Sequence, residues 1–158
     1  MTQSRIYDPL KKPNNLSVNE GRVQSLPGPV LTASDSFQDG PTKGFAKLLV
    51  WRRGIELTIA VYVLTAEFPI TERFGLSSQM RRAAVSVPSN VAEGYGRRTR
   101  GEYLQFLGQA RGSCSELETQ IVISKKLNLG SAVALSNAEA LCAETGRLLF
   151  KLMAALEK

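Results

Sequence analysis

Residues 45–68, FAKLLVWRRGIELTIAVYVLTAEF, decide how the rest of the chain is read. Phe45, Leu48, Leu49, Ile55, Ile59, Tyr62 and Ala66 recur at three- and four-residue spacing, the repeat of one face of an α-helix. Between Ile55 and Leu64 the only charge is Glu56, and Leu57, Ala60, Val61, Val63 and Leu64 fill the other faces. A helix apolar on more than one face has to bury more than one. One face can enter the core of a single bundle. The other calls for a neighbour, which points to a homo-oligomer. Pro69 ends the helix, because the residue before a proline is pushed out of the helical region.

Three more helices follow. The second is expected to begin after Leu76 with Ser77 or Ser78 as its cap, and Met80, Ala84, Val87 and Val91 form its stripe. Pro88 falls inside that pattern and is expected to kink or restart the helix, with Gly94 and Gly96 as the stop. The third runs from about Arg100 to Leu127, with Tyr103, Leu107, Ala110, Cys114, Leu117 and Ile121 on one face and Asn128 and Gly130 closing it. The fourth starts near Ser131. Leu135, Ala138, Cys142, Thr145, Leu149, Leu152 and Leu156 give it a seven-residue repeat with Thr145 as its one polar member. No strand pattern competes. Short connections favour antiparallel neighbours, so residues 44–158 read as an all-α, antiparallel, up-down-up-down four-helix bundle.

Residues 1–43 differ. They hold five of the seven prolines and no helical periodicity, and their apolar residues stand singly or in pairs such as Ile6-Tyr7 and Val30-Leu31. Such a segment buries too little apolar surface to offset its chain entropy and is expected to be a disordered tail or linker. Its charges nearly cancel, so most of the net +6 belongs to the bundle, where it favours anionic partners. Cys114 and Cys142 each fall on an apolar helical stripe, as buried thiols of a reducing compartment do. No secretory signal and no membrane-length apolar run is seen, so a cytoplasmic protein is expected.

The chain has no histidine, which removes the commonest general base and metal ligand. It has no Walker A loop either, and the glycines of residues 90–96 end a helix and do not follow a strand. No cofactor, metal site or catalytic residue is therefore expected. Two basic clusters stand out. One is Arg81-Arg82. The other is Arg97, Arg98 and Arg100, flanked by Tyr95 and Tyr103, and arginine near tyrosine suits phosphate contacts and stacking on unpaired bases. Arg98 and Arg100 at a helix start oppose its dipole, which asks for another reason for their presence. Arg111 and Glu118 lie two turns apart on one face, where Asn90 and Glu93 of the preceding helix could meet them in a register-fixing polar network. The glycines at 108 and 112 each cost up to ~1 kcal/mol against alanine, a cost that close approach of a second backbone would offset.

Together, residues 45–51 (FAKLLVW), 68–76 (FPITERFGL), 79–94 (QMRRAAVSVPSNVAEG), 111–113 (RGS) and 116–120 (ELETQ) resemble the four-helix bundle proteins encoded in intervening sequences of bacterial 23S rRNA genes. The resemblance covers nearly all of residues 44–158. It implies an up-down-up-down bundle assembled as a ring-like homopentamer. It also implies similarity to accessory proteins of diversity-generating retroelements, which pair with a reverse transcriptase and bind nucleic acid. The tail departs from the compact family pattern, as does Gly54, where the family commonly has a better helix former. The reading that results is a non-enzymatic homo-oligomeric module contacting RNA or DNA through Arg81, Arg82, Arg97, Arg98 and Arg100. A protein–protein interaction scaffold is the alternative, and an enzyme using Glu93, Arg111 and Glu118 comes third.

Overall fold

A computed structural model describes residues 44–158, and every regular element among them is helical. The expected tail, with Ile6-Tyr7 and Val30-Leu31, lies outside the described residues. After a 3-10 turn at Gly44–Lys47 come α1 (Leu49–Ala66), α2 (Leu76–Tyr95), α3 (Arg100–Lys126) and α4 (Ala132–Leu156). Each helix packs on two neighbours in the cycle α1–α2–α3–α4.

Contacts along the helices run in opposite senses at every interface. Thr58 near the middle of α1 meets Ala84 of α2, while Thr65 near its end meets Arg81. Ser86 of α2 meets Ser113 of α3, and Met80 meets Ser124. Lys125 late in α3 meets Glu139 early in α4, and Cys114 meets Cys142. Glu67, just past α1, accepts from the Ser131 backbone at the start of α4, and Arg53 pairs with Glu144. All four neighbours are therefore antiparallel.

The core stripes of α2, α3 and α4 follow the sequence pattern. Met80, Ala84, Val87, Val91, Leu107, Ala110, Leu117, Ala138, Cys142, Thr145 and Leu149 are wholly buried. The hydroxyl of Thr145 donates to the Leu141 carbonyl at 2.7 Å, which satisfies the one polar member of the heptad within its own helix. In α1 the spacing singles out a different face from the one that is buried. The core takes Val50, Gly54, Leu57, Ala60, Val61, Leu64 and Thr65, while Leu49, Ile59, Tyr62 and Ala66 face outward. The expectation that α1 carries apolar side chains on more than one face holds, because Leu49, Ile59, Tyr62 and Val63 stay exposed beside a full core stripe.

The helix ends correct three details. α2 starts at Leu76, with no side-chain cap from Ser77 or Ser78; Glu72 takes the role, its carboxylate accepting from the Leu76 N–H at 3.1 Å. Helix α2 also runs unbroken through Pro88 to Tyr95, with no restart. Proline deprives the carbonyl four residues earlier, that of Ala84, of its helical donor. The Thr58 hydroxyl of α1 lies 2.9 Å from that oxygen and 2.8 Å from the Gly54 carbonyl, so α1 supplies the missing donor. Gly54 faces the proline ring, and a β-carbon there would lie 3.2 Å from Pro88 Cβ. The weak helix former at position 54 thus makes room for the proline of its neighbour. Third, Gly94 lies inside α2 and is buried, and the stop falls at Gly96.

The α3–α4 connection is a Schellman motif. The Leu129 N–H donates to the Ser124 carbonyl at 2.9 Å and that of Asn128 to Lys125 at 3.2 Å, with Asn128 at φ 54°. Ser131 then caps α4 by accepting from the Ala134 N–H.

Candidate functional site

The two arginine clusters occupy opposite ends of α2. From Arg82 to Tyr95 the helix rises roughly 20 Å, so Arg81 and Arg82 do not join Arg97, Arg98 and Arg100 at one end of the bundle.

At the far end of α2 a capping box sets the geometry. Thr99 caps α3 and accepts from the Glu102 N–H at 3.2 Å, and Glu102 reaches back to the Thr99 N–H and hydroxyl. The Thr99 hydroxyl bond, then the backbone bond, holds the Glu102 carboxyl below its usual range. The signal for this box is legible in the sequence as Thr99 followed three residues later by Glu102. The Glu102 carboxylate in the first turn of α3 is the charge the helix dipole favours there, and it also feels the charge of Arg97.

Of the three arginines here, Arg97 pairs with Glu93 and lies over the Phe106 ring at 4.5 Å. Arg98 and Arg100 are exposed and make no ion pair among the described residues. Tyr95 is 45% exposed and meets Tyr103 edge-on at 6.3 Å and Phe45 at 6.4 Å, and Phe45 in turn contacts Trp51. An aromatic cluster therefore closes this end of the bundle, with Tyr95 partly open to solvent and Arg98 and Arg100 a few residues on in the chain. Tyr103 is more enclosed. Its hydroxyl has no hydrogen-bond partner among the described residues, and burial raises its pKa.

At the near end Arg81 is held in place. Its Nε donates to Thr65 Oγ1 at 2.8 Å, and its guanidinium lies 4.8 Å from the Tyr62 ring centre. Arg82 is exposed and lines a shallow surface depression with Tyr62, Val85 and Ser86.

The four residues of the expected polar network do not meet. Asn90 donates to the carbonyl and hydroxyl of Ser86, both at 2.9 Å, and Glu93 holds Arg97. Polar contact between α2 and α3 comes instead from Ser86 with Ser113, at 2.9 Å, and from the Ser124 hydroxyl on Met80 Sδ, at 3.5 Å. Arg111 and Glu118 do share a surface, the outer groove between α3 and α4, where they stand with Arg147, Phe150 and Lys151. A β-carbon at Gly108 or Gly112 would meet nothing within 4 Å, so no backbone among the described residues packs there. Cys114 and Cys142 are buried together, and the Cys142 thiol lies 3.5 Å from the Cys114 carbonyl. Its hydrogen bond with Cys114 and its burial raise the Cys142 pKa, so it stays a protonated, unreactive thiol. No described helix is long and apolar enough to cross a membrane.

Known proteins share this architecture. A crystal structure of a protein of unknown function from the S23 ribosomal protein family of Bacteroides thetaiotaomicron VPI-5482 superposes with a TM-score of 0.61 at 19% identity. The match covers 66% of this chain and 98% of that one, and it speaks for the fold alone. No functionally curated relative matches. The model of the 23S rRNA-intervening sequence proteins matches residues 46–151, from the turn before α1 to the last turns of α4, and the chain belongs to that family.

Proposed function

We propose that this protein is a non-enzymatic, homo-oligomeric binding module that contacts RNA or DNA through its exposed arginines. The observation that carries the reading is the end of the bundle at α2 and α3. There Arg98 and Arg100, which make no ion pair among the described residues, follow closely in the chain on the half-exposed Tyr95, whose ring is held edge-on by Tyr103. Cations without carboxylate partners suit phosphates, and an open aromatic face suits an unpaired base. Arg82 offers a further cation at the other end of α2, whereas Arg81 and Arg97 are partly committed to Thr65 and Glu93. The module works in the cytoplasm and carries no cofactor or metal.

The oligomer is supported by the outer side of α1. Leu49, Ile59, Tyr62 and Val63 are each more than 40% exposed there, and Val85 of α2 continues the patch. Clustered exposed apolar side chains of this kind suit a contact surface. In a ring of copies, a pentamer in the family pattern, the arginines recur once per subunit and weak contacts add through avidity. Replacing Val63 by glutamate is expected to lower the particle mass toward that of one chain in native mass spectrometry at micromolar concentration. A wild-type protein that is already monomeric there would remove the oligomeric part of the reading.

Binding is tested with structured RNA across a salt series. Replacing Arg82, Arg98 and Arg100 by alanine is expected to weaken binding. It should also flatten the dependence of log K on log salt by about one unit for each phosphate the protein no longer neutralises. Unchanged affinity and slope would exclude these arginines as the interface. A second reading, a scaffold for another protein such as a reverse-transcriptase-like partner, is favoured by a separate observation. The end of the bundle opposite Tyr95 exposes Ile70 at 78%, Phe74 at 85% and Val133 at 81%. Co-purification of a protein partner without nucleic acid would support that reading.

A further inference from the structure

We propose that the outer groove between α3 and α4 is a second contact site for nucleic acid, one that holds an unpaired nucleotide by stacking its base on Phe150. This rests on the reading above that the protein contacts nucleic acid. It places an essential contact on a different face of the bundle from the α2–α3 end.

The groove has a volume of about 570 Å³, within the roughly 300–1,000 Å³ of small-molecule sites. Arg111 reaches it from α3, and Arg147, Phe150 and Lys151 from α4. The α4 residues sit at three- and four-residue spacing and so project from one side of the helix. Phe150 is 60% exposed, so much of its ring is accessible from the groove. Arg111 lies over this ring with 5.9 Å from guanidinium carbon to centroid, so one cation is already poised at the aromatic surface.

Positive charge outweighs negative on the groove wall. Arg53, Arg97 and Lys125 each pair with a carboxylate, while Arg111, Arg147 and Lys151 make no ion pair among the described residues. Glu118 is the one carboxylate on the groove wall among the described residues, against three cations. At Gly146 a β-carbon would meet nothing within 4 Å, which leaves the α4 wall open between Arg147 and the body of the groove.

This combination selects for a single strand. A base in a duplex has its faces covered by its neighbours and cannot lie on Phe150, whereas an unpaired base can, and adjacent phosphates then fall among the arginines and lysine. The Glu118 carboxylate can accept from an exocyclic amino group, which favours adenine, guanine or cytosine over uracil at this position.

The test uses the full chain and a labelled single-stranded RNA of ~12 nucleotides, with the matching duplex as control. Phe150→Leu keeps an apolar side chain but removes the aromatic face. It is expected to weaken single-strand binding about tenfold without changing the salt slope, to leave duplex binding unchanged, and to be rescued by Phe150→Tyr. Arg147→Ala with Lys151→Ala is expected to reduce the single-strand salt slope by about 0.7 for each cation removed. All three positions are exposed, and unchanged helical circular dichroism confirms folding. Single-strand affinity for Phe150→Leu that stays within about twofold of wild type, or falls equally for the duplex, overturns the proposal. Weaker binding in Arg98→Ala and Arg100→Ala with none in the groove variants overturns the groove and leaves the general reading standing. No binding of either RNA at low salt overturns both.

Discussion

Leu57→Ala is expected to cost about 2–5 kcal/mol of unfolding free energy, whereas Ile59→Ala, two residues further along the same helix, costs well under ~1 kcal/mol in the isolated subunit. Both truncations remove branched aliphatic carbon from α1, so the difference isolates burial. Leu57 is wholly buried in the core, and its truncation leaves a cavity that close-packed neighbours fill only in part. Ile59 is 41% exposed, and much of the surface it gives up already faces water. Urea unfolding followed by circular dichroism reads both, and running it at two protein concentrations adds a further discrimination. If the outer face of α1 joins copies, the Ile59→Ala deficit grows with concentration, because only the assembled form is weakened. Equal deficits at the two positions would mean that the core face of α1 has been assigned wrongly.

That pair bears on what the sequence could and could not convey. In α2, α3 and α4 the apolar stripe is bordered by polar faces, so the spacing identifies the core face directly: Met80 to Val91, Leu107 to Ile121 and Leu135 to Leu149 are buried as the pattern requires. In α1 the apolar residues go nearly all round, and periodicity loses its power to choose between faces. The buried side is further disguised by Gly54, Thr58 and Thr65, small or polar residues whose reasons lie in other helices. Gly54 clears the Pro88 ring, Thr58 supplies the Ala84 carbonyl with a donor, and Thr65 accepts from Arg81. None of these reasons can be seen within residues 45–68.

The site was legible to a similar degree. The exposed cations Arg82, Arg98 and Arg100 could be found because they form short runs in the chain. The Arg111, Arg147, Phe150 and Lys151 groove could not, because it exists only where two helices distant in sequence lie side by side. The expected network of Asn90, Glu93, Arg111 and Glu118 failed for the same reason in reverse. Helical register brings Ser86 to Ser113, and each longer side chain finds a nearer partner: Asn90 takes Ser86 and Glu93 takes Arg97.

Gly94→Val is expected to lower stability by about 2–3 kcal/mol, against a gain of up to ~1 kcal/mol for Gly112→Ala. Helix propensity alone argues for replacing both glycines, since glycine in a helix interior costs up to ~1 kcal/mol relative to alanine. Packing separates them. A β-carbon at Gly94 would stand 2.7 Å from Phe106 Cβ and 2.9 Å from Tyr103 Cδ2. Phe106 Cβ is bonded to the α3 backbone and cannot rotate aside, so α2 and α3 have to move apart where Tyr95 and Tyr103 meet. The branched valine adds further bulk there. At Gly112 a β-carbon meets nothing within 4 Å, so only the propensity gain remains. Opposite shifts in melting temperature are therefore expected. A Gly94→Val protein as stable as wild type would show that the α2–α3 crossing is loose. A drop in stability at Gly112 would show that its open space is filled by something beyond this subunit, which would restore the close backbone approach that the glycine itself first suggested.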